Sequence, residues 1–233
     1  MRGVVITGVS RGLGEAFFRT LEEEQARLFA IGRSFTDRQF TQAQHGGQVV
    51  LHHADLNDLS QLPSASDLAD FLAGADDAVL IHNAGFLDPF GAIGHLDPDQ
   101  LESALRVNLL APMALTDTFT AAVEQTGPAR VRVLYVSSGA ARRVIGGLAA
   151  YCTTKAGAEM YFAALAEQMR ADRRWEVHCL NPGIMPTRML DQLGSVPDAA
   201  YFPQRDTYRA LSGDAGLPAP SYVAQRLLRY VLA

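Results

Sequence analysis

The sequence contains little cysteine and no long hydrophobic run. Two cysteines in 233 residues, Cys152 and Cys179, are typical of reduced thiols rather than of a disulfide framework. No apolar run approaches the roughly 18 residues that a membrane-spanning helix needs. Arg2 leads directly into the first apolar run, without the pattern of a secretory signal. These absences predict a cytoplasmic protein with no membrane contact.

Extended basic runs and metal-ligand clusters are also lacking. The formal net charge is −5, the pI is about 5.6, and arginines adjoin only in pairs such as Arg142-Arg143. We therefore expect no nucleic-acid partner. The 6 histidines show no ligand spacing, and adjacent His52 and His53 would point to opposite sides of a strand. No metal site is expected.

What the sequence does have is a regular alternation of apolar runs and helical patterns. Hydrophobic residues make up 48% of the chain, enough for a large core, and we predict one domain over residues 1–233. The predicted strands are 3–6, 28–31, 49–51, 78–81, 131–136 and 176–180. The predicted helices are 12–24, 35–44, 59–73, 98–124, 151–170 and 221–232. With right-handed crossovers, this α/β pattern predicts a doubly wound parallel sheet, the Rossmann fold, with strand order 3-2-1-4-5-6 and helices on both faces.

A glycine-rich turn follows the first apolar run. Residues 7–14 read TGVSRGLG and precede a helical pattern. Small residues let the backbone approach a pyrophosphate, whose charge would meet unpaired N–H groups and the positive end of the helix dipole. The turn therefore predicts a dinucleotide-binding site. The residues of the turn expected at the cofactor are Gly8, Ser10, Arg11, Gly12, Leu13 and Gly14.

Tyr151 and Lys155 lie four residues apart in a helical pattern. Positions i and i+4 share one face of a helix, so the ammonium can lie close to the phenol. A nearby positive charge favours the ionised phenol and lowers its pKa. We therefore expect the pair to act in proton transfer near neutral pH. Taken alone, the spacing also fits a solvated helix face.

The turn and the Tyr-Lys pair together resemble the TGxxxGxG and YxxxK motifs of the short-chain dehydrogenase/reductase family. The resemblance continues in chain order. Asp55 matches the acidic residue of the family that contacts adenine, and residues 82–85 match its NNAG turn, with His82 in place of the first asparagine. Residues 182–187 match its PGxxxT loop over the nicotinamide. Within the family, the sequence is most similar to the branch of benzil and sepiapterin reductases.

The resemblance also implies roles for four catalytic residues. Ser138 lies thirteen residues before Tyr151, as the catalytic serine of the family does, and Asn108 matches its helix asparagine. Ser138 and Tyr151 would bind a ketone oxygen, and Tyr151 would donate the proton while the nicotinamide supplies hydride. Lys155 would hold the nicotinamide ribose, and Asn108 would anchor a water that resupplies the proton. The further residues implied at the cofactor are Asp55, Leu56, Asn83, Ala84, Gly85, Tyr151, Lys155, Pro182, Gly183, Ile184 and Thr187.

The end of the second predicted strand indicates which dinucleotide binds. An NAD site usually has a carboxylate there for the ribose 2′-hydroxyl. This sequence instead has Arg33 and Ser34, with no carboxylate before Asp37. Arg33 and Arg11 could both reach a 2′-phosphate. NADPH is therefore the expected cofactor, and two solvated surface arginines are the alternative.

The expected substrate is a small carbonyl compound. We predict a substrate loop over about residues 184–220, and apolar side chains around the pocket favour a hydrophobic or aromatic ketone or diketone. A pterin of the sepiapterin type is the alternative substrate. A non-catalytic NADP-binding regulator is the alternative class, although relatives of that kind typically lack the Tyr, Lys or Ser that this chain has. The apolar residues expected at the pocket are Phe86, Phe90, Leu148, Met185, Met189, Leu193, Tyr201, Phe202 and Tyr208.

The last helical pattern and the pattern at 151–170 bear on assembly. Relatives usually add a seventh strand after the last helix, but only Ala233 follows here, so no seventh strand is predicted and the inference of a tetramer weakens. The helix predicted at 151–170 is apolar over most of its circumference, including Met160, Tyr161 and Met169. This is more than one sheet-facing stripe requires. We expect a homodimer, with a larger assembly left open.

Overall fold

The computed structural model describes residues 1–196, 202–214 and 216–233. Within these ranges the chain forms a six-stranded sheet whose order is β3-β2-β1-β4-β5-β6, and every neighbouring pair is parallel. Each strand comes from one of the predicted apolar runs. The strands are β1 (Arg2–Thr7), β2 (Arg27–Gly32), β3 (Val49–His53), β4 (Asp77–His82), β5 (Arg130–Val136) and β6 (Trp175–Leu180). The predicted doubly wound topology is confirmed.

The helices begin where local side chains satisfy the free amides of their first turns. Thr36 and Ser64 form capping boxes before two of them, and Asp97 caps a third, which has a proline in its first turn. The helices are α1 (Gly12–Glu23), α2 (Asp37–Gln44), α3 (Ala65–Leu72), α4 (Pro98–Leu105), α5 (Ala111–Thr126), α6 (Ala149–Met169), α7 (Arg188–Gly194), α8 (Arg205–Ser212) and α9 (Pro220–Leu232).

Apolar layers cover both faces of the sheet. Val4 and Ile6 of β1 pack into the layer that contains α1 and α9, whereas Val5 packs into the layer that contains α3, α5 and α6. Successive strand residues point to opposite faces, so a strand covered on both sides must be apolar throughout. This explains why β1 was recognisable as a continuous apolar run. The predicted helices on both faces are confirmed.

The carboxyl ends of the strands meet along one edge of the sheet. Thr7, His82 and Val136 end the neighbouring strands β1, β4 and β5. The chain leaves β1 toward β2 on one side and continues from β4 to β5 on the other, which opens a crevice between the diverging connections. The loops that carry the predicted site residues therefore lie together at this edge.

The segment 184–220 is not one continuous loop, because α7 and α8 lie within it. Beyond β6, no further strand pairs with the sheet in the described ranges. Among the helices of those ranges, none has the length and apolar character required to cross a membrane. The described side chains also include no group of three or more His, Cys, Asp or Glu placed to hold a metal ion.

Candidate active site

A cavity of about 1170 Å³ lies at the carboxyl ends of the strands. It brings together nearly all the residues that the sequence predicted for a site. The predicted residues that line it are Gly8, Ser10, Arg11, Gly12, Leu13, Gly14, Arg33, Ser34, Asp55, Leu56, Asn83, Ala84, Gly85, Ser138, Tyr151, Lys155, Pro182, Gly183, Ile184 and Thr187. Asn108 lies behind the wall, completely buried.

Close backbone contacts build the glycine turn. Gly8 has a left-handed backbone (φ 75°), and a Cβ on it would come within 2.9 Å of the Ala84 backbone. A Cβ on Gly14 would overlap the Gly8 carbonyl and the Asn83 side-chain amide. That amide donates to the carbonyl oxygens of Thr7 (3.2 Å) and Gly8 (3.0 Å). The turn therefore requires glycine at both positions, and Asn83 stabilises its shape.

The start of α1 suits an anionic group. No side chain caps its first turn, and the preceding residue, Arg11, has an extended backbone (φ −163°). The first amides of the helix therefore keep free N–H groups that face the turn, and the helix dipole adds positive potential there. Ser10 and Arg11 line the same cavity. These residues fit the pyrophosphate of a dinucleotide.

Arg33 and Asp55 follow the ends of β2 and β3 and line the same cavity. Arg33 Nη1 lies 3.9 Å from Asp55 Oδ2, and both side chains are exposed. An exposed ion pair of this length contributes little to stability. The guanidinium of Arg33 is therefore free to bind a phosphate group that enters the cavity.

Ser138, Tyr151 and Lys155 meet at the wall of the cavity. Ser138 follows β5, where its hydroxyl accepts a hydrogen bond from the Ala140 amide (3.2 Å) and caps a short 3-10 turn. Tyr151 lies in the first turn of α6, and Lys155 lies one turn later on the same face. Lys155 Nζ donates to the Val136 carbonyl (3.0 Å) and lies 5.7 Å from the centroid of the Tyr151 ring. The predicted proximity of phenol and ammonium is present.

Burial dominates the ionisation of both groups. It raises the pKa of Tyr151 to about 12, although a hydrogen bond with Ser138 acts in the opposite direction. It also lowers the pKa of Lys155 to about 8. The Tyr-Lys spacing predicted a lowered pKa for the phenol, whereas in this structure burial is the largest effect and raises it. A phenol that stays protonated at neutral pH is suited to donate a proton.

Asn108 lies in a π turn, Arg106–Leu110, that joins α4 to α5. Its side chain accepts a hydrogen bond from the Phe86 amide (2.8 Å) and donates to the Phe86 carbonyl (2.7 Å) and the Thr154 hydroxyl (3.2 Å). Its main-chain carbonyl accepts a hydrogen bond from the Tyr135 hydroxyl (3.2 Å). Asn108 thus ties the loop after β4 to α6. That it anchors a water stays a prediction.

The apolar residues predicted for the substrate divide into two groups. Phe90 and Phe202 pack against each other, with ring centroids 5.8 Å apart, and do not line the cavity. Tyr201 lies outside the described residues. Those that line the cavity are Phe86, Leu148, Met185, Met189, Leu193 and Tyr208.

Sequence reasoning missed some polar residues of the cavity. Arg143 lines it, with Nε 3.4 Å from the position that a Cβ on Gly139 would occupy. Gln192 and Asp88 also line it and form a hydrogen bond of 2.7 Å. These residues stand outside any motif, and Arg143 belongs to an arginine pair whose pattern is that of a solvated surface. Only the folded chain reveals their position.

One signal for Lys155 was available in the composition. Lys155 is the one lysine among the 20 lysine and arginine residues of the sequence. Arginine is the usual choice for fixed surface charge and bidentate binding, whereas a lysine amine can be buried and can change its protonation state. All the remaining basic positions of this chain hold arginine, and the lysine ammonium lies at the wall of the cavity.

The parallel sheet, the glycine turn and the three polar side chains at the cavity define the class of doubly wound oxidoreductases. The sequence pattern described as short chain dehydrogenase matches residues 2–197. The chain therefore belongs to the short chain dehydrogenase family, and it is an oxidoreductase of that family.

Two enzymes named benzil reductase ((S)-benzoin forming) are similar over nearly the whole chain. The one from Bacillus cereus is 33% identical and covers 97% of this chain and 92% of its own length. The one from Bacillus subtilis is 29% identical and covers 96% and 90%. A solved short-chain dehydrogenase/reductase from Burkholderia vietnamiensis is 30% identical, covers 92% of each chain and has a TM-score of 0.70. The predicted family and its benzil reductase-like branch are confirmed.

Proposed function

We propose that this protein is an NADPH-dependent carbonyl reductase that acts on hydrophobic or aromatic ketones and 1,2-diketones. The observation that carries the proposal is the convergence of Ser138, Tyr151 and Lys155 on the cavity that the glycine turn also lines. Likeness to two benzil reductases over at least 96% of the chain supports the diketone as substrate class.

The family resemblance and the geometry of the site together support roles for the chain's own residues. When bound, the nicotinamide supplies hydride to the carbonyl carbon. Ser138 and Tyr151 donate hydrogen bonds to the carbonyl oxygen and stabilise the negative charge that develops there. Tyr151 then gives its proton to that oxygen, because burial keeps the phenol protonated until the charge appears. Lys155 binds the ribose hydroxyls and places a positive charge near the resulting phenolate.

Preference for NADPH rests on Arg11 and Arg33. Both line the cavity, and no carboxylate lies at the end of β2, where NAD-binding proteins place one. Arg33 already has a carboxylate within 3.9 Å, but that pair is exposed and easily exchanged for a 2′-phosphate. The two guanidinium groups therefore select the phosphorylated cofactor.

An apolar substrate fits the remaining wall. Phe86, Leu148, Met185 and Leu193 line the cavity beyond the catalytic side chains. Their apolar surface favours a ligand that buries aromatic rings, as benzil does. The same reasoning favours a diketone over the more polar pterin.

A homodimer is part of the proposal. Leu105, Leu110 and Met160 are exposed large hydrophobic residues, the last with 72% of its surface accessible. They lie on α4, on the π turn and on α6, which pack against one another. An exposed apolar surface of this kind is typical of a protein interface. A second copy of the chain would cover it.

A carbonyl panel tests the activity. Purified protein is mixed with NADPH or NADH and with benzil, an aromatic monoketone or a pterin of the sepiapterin type, and cofactor absorbance is followed. We expect benzil to be reduced with NADPH at least about tenfold faster than with NADH, since one charge-assisted phosphate contact is worth that much. Faster turnover of the pterin would favour a pterin reductase. Binding of NADPH without turnover of any carbonyl would favour a regulator.

A further inference from the structure

Tyr135 lies at the end of β5 and contacts two residues of the proposed catalytic set. Its hydroxyl donates to the main-chain carbonyl of Asn108 (3.2 Å), within the π turn. Lys155 Nζ lies over its ring, 4.6 Å from the ring centroid. The side chain is only 1% exposed and does not line the cavity. Tyr135 can therefore act on the site through its neighbours but cannot touch a substrate.

The surroundings of Tyr135 fix its ring. Phe162 of α6 stacks on it, with centroids 4.8 Å apart and an interplanar angle of 25°. His82 is its partner in the register of β4 and β5, with centroids 6.5 Å apart. Burial raises the pKa of Tyr135 far above its ordinary value, so its hydroxyl remains a donor. The hydroxyl and the ring face thus have separate partners that substitutions can distinguish.

The ammonium of Lys155 is buried and therefore needs a group beside it that stabilises its charge. Lys155 Nζ donates a hydrogen bond to the main-chain carbonyl of Val136, which is a neutral group. Loss of hydration destabilises an ammonium relative to the neutral amine, and the face of an aromatic ring stabilises it. The titratable groups that face Lys155 from the packed elements are His82 of β4, Tyr135 of β5, Cys179 of β6, and Tyr151 and Glu159 of α6.

We propose that Tyr135 is a positioning residue for the reduction: its ring face holds Lys155 charged beside Tyr151, and its hydroxyl fixes the π turn of Asn108. The inference rests on the proposed carbonyl reductase, because it assigns Tyr135 a task in that reaction. It also makes a claim about Lys155 that holds whether or not a substrate is known.

The sign of the expected effect follows from the charge on Lys155. Burial lowers the pKa of Lys155 to about 8, so the ammonium is present below that pH and is lost as the pH rises through it. Removal of the ring face takes away a stabilising contact of the charged form. The loss of the ammonium should then occur at lower pH, by about 0.5–1.5 units for a desolvated cation–π contact.

The test measures the titration of Lys155 directly. Because Lys155 is the one lysine of the sequence, full-length protein labelled with ¹³Cε-lysine gives one side-chain signal whose shift reports the ammonium. We expect the midpoint in Tyr135→Leu to fall by about 0.5–1.5 pH units relative to the wild type. In Tyr135→Phe, which retains the ring, we expect it to stay within about 0.3 units. Equal midpoints in wild type and Tyr135→Leu would overturn the proposal, as would an equal fall in Tyr135→Phe.

Steady-state kinetics with benzil and NADPH supply the second measurement. The alkaline limb of the kcat profile should move to lower pH in Tyr135→Leu and remain in place in Tyr135→Phe. Loss of the hydroxyl should lower kcat about 2–10-fold in Tyr135→Phe with the KM for NADPH unchanged, since it removes one hydrogen bond. A merely structural tyrosine would alter stability and leave the limb where it is, and that result contradicts the proposal.

These two measurements separate failure of the inference from failure of the proposed function. If the wild type does not reduce benzil or any other carbonyl compound, the function is wrong, while the lysine titration still decides whether Tyr135 holds the charge. If Tyr135→Leu does not fold, Tyr135→Met fills a similar volume without a ring. Its Lys155 midpoint is expected to fall by the same amount, and an unchanged midpoint would overturn the proposal.

Discussion

Arg33 places a positive charge at the end of β2, the position where NAD-binding proteins of this fold usually have a carboxylate. A carboxylate at this position would bind a ribose 2′-hydroxyl and repel a 2′-phosphate. We propose that Arg33 reverses that preference, since its exposed contact with Asp55 at 3.9 Å is weak enough to be replaced. The proposed cofactor preference thus rests on one or two residues.

Substitution Arg33→Ala tests this preference. Loss of a charge-assisted hydrogen bond to phosphate should raise the KM for NADPH by about 10–100-fold and leave the KM for NADH nearly unchanged. The control is Arg229→Ala, which removes an exposed arginine of α9 away from the cavity. If Arg33→Ala raised the KM for NADPH and the KM for NADH equally, or changed neither, Arg33 would not bind the 2′-phosphate.

The π turn between α4 and α5 is the element that links the fold to the site. It places Asn108 where its side chain makes three hydrogen bonds, two of them to the backbone of Phe86 in the loop after β4. A regular helix through this segment would turn successive side chains differently. The loop that follows β4 is therefore held in place from behind the cavity wall.

Removal of the Asn108 side chain should destabilise the protein. In Asn108→Ala, buried polar groups lose their partners, and the free energy of unfolding should fall by about 2–4 kcal/mol. Urea denaturation measures this change. Asn57→Ala, at an exposed asparagine, is the matched control and should stay within about 0.5 kcal/mol of the wild type. If the free energy of unfolding of Asn108→Ala also stayed within about 0.5 kcal/mol of the wild type, Asn108 would not stabilise the loop after β4 as described.

Sequence patterns were sufficient for the sheet but not for breaks within helices. The inner strands were recognisable because a strand covered on both faces is apolar throughout, and the edge strands β3 and β6 still begin or end in short apolar runs. The pattern at 98–124 gave no sign of the π turn, because the break preserves amphipathic spacing on either side. The pattern at 59–73 began too early, since Pro63 interrupts the helix and Ser64 caps the true start of α3.

Motif residues could be placed from sequence because their spacing is local, whereas contacts across elements could not. Tyr151 and Lys155 needed only one helical turn. The contact of Tyr135 with Lys155, and that of Arg143 with the cavity, depend on how β5, α6 and the loop between them pack together. The raised pKa of Tyr151 likewise depends on burial that spacing does not report.

At the scale of the whole molecule, two surfaces are open. β6 forms one edge of the sheet in the described ranges and β3 the other, and the face of α4, the π turn and α6 carries exposed hydrophobic residues. The second surface is helical, and helices with apolar residues beyond the sheet-facing stripe pair well with a second copy. The homodimer is therefore proposed through α6 and its neighbours.

Met160→Asp should break this dimer. A carboxylate in the centre of an apolar interface lacks a partner and must be desolvated. Light scattering after size exclusion should show a dimer for the wild type and a monomer for the variant at the same concentration. Ile93→Asp changes a residue that is 83% exposed and belongs to none of these helices, and it should leave the dimer intact. A dimeric Met160→Asp protein would rule out this interface.

The central claim is that Tyr151 donates the proton in an NADPH-dependent carbonyl reduction. Its most direct test is the initial rate of benzil-dependent NADPH oxidation in wild type, Tyr151→Phe and Tyr161→Phe. Tyr161 lies on the same helix, outside the cavity, and its hydroxyl contacts the Met113 carbonyl (3.3 Å). We predict that Tyr151→Phe loses about 10²–10⁴-fold in kcat while its Kd for NADPH stays within about twofold, and that Tyr161→Phe keeps the wild-type rate. Undiminished turnover in Tyr151→Phe would contradict the account.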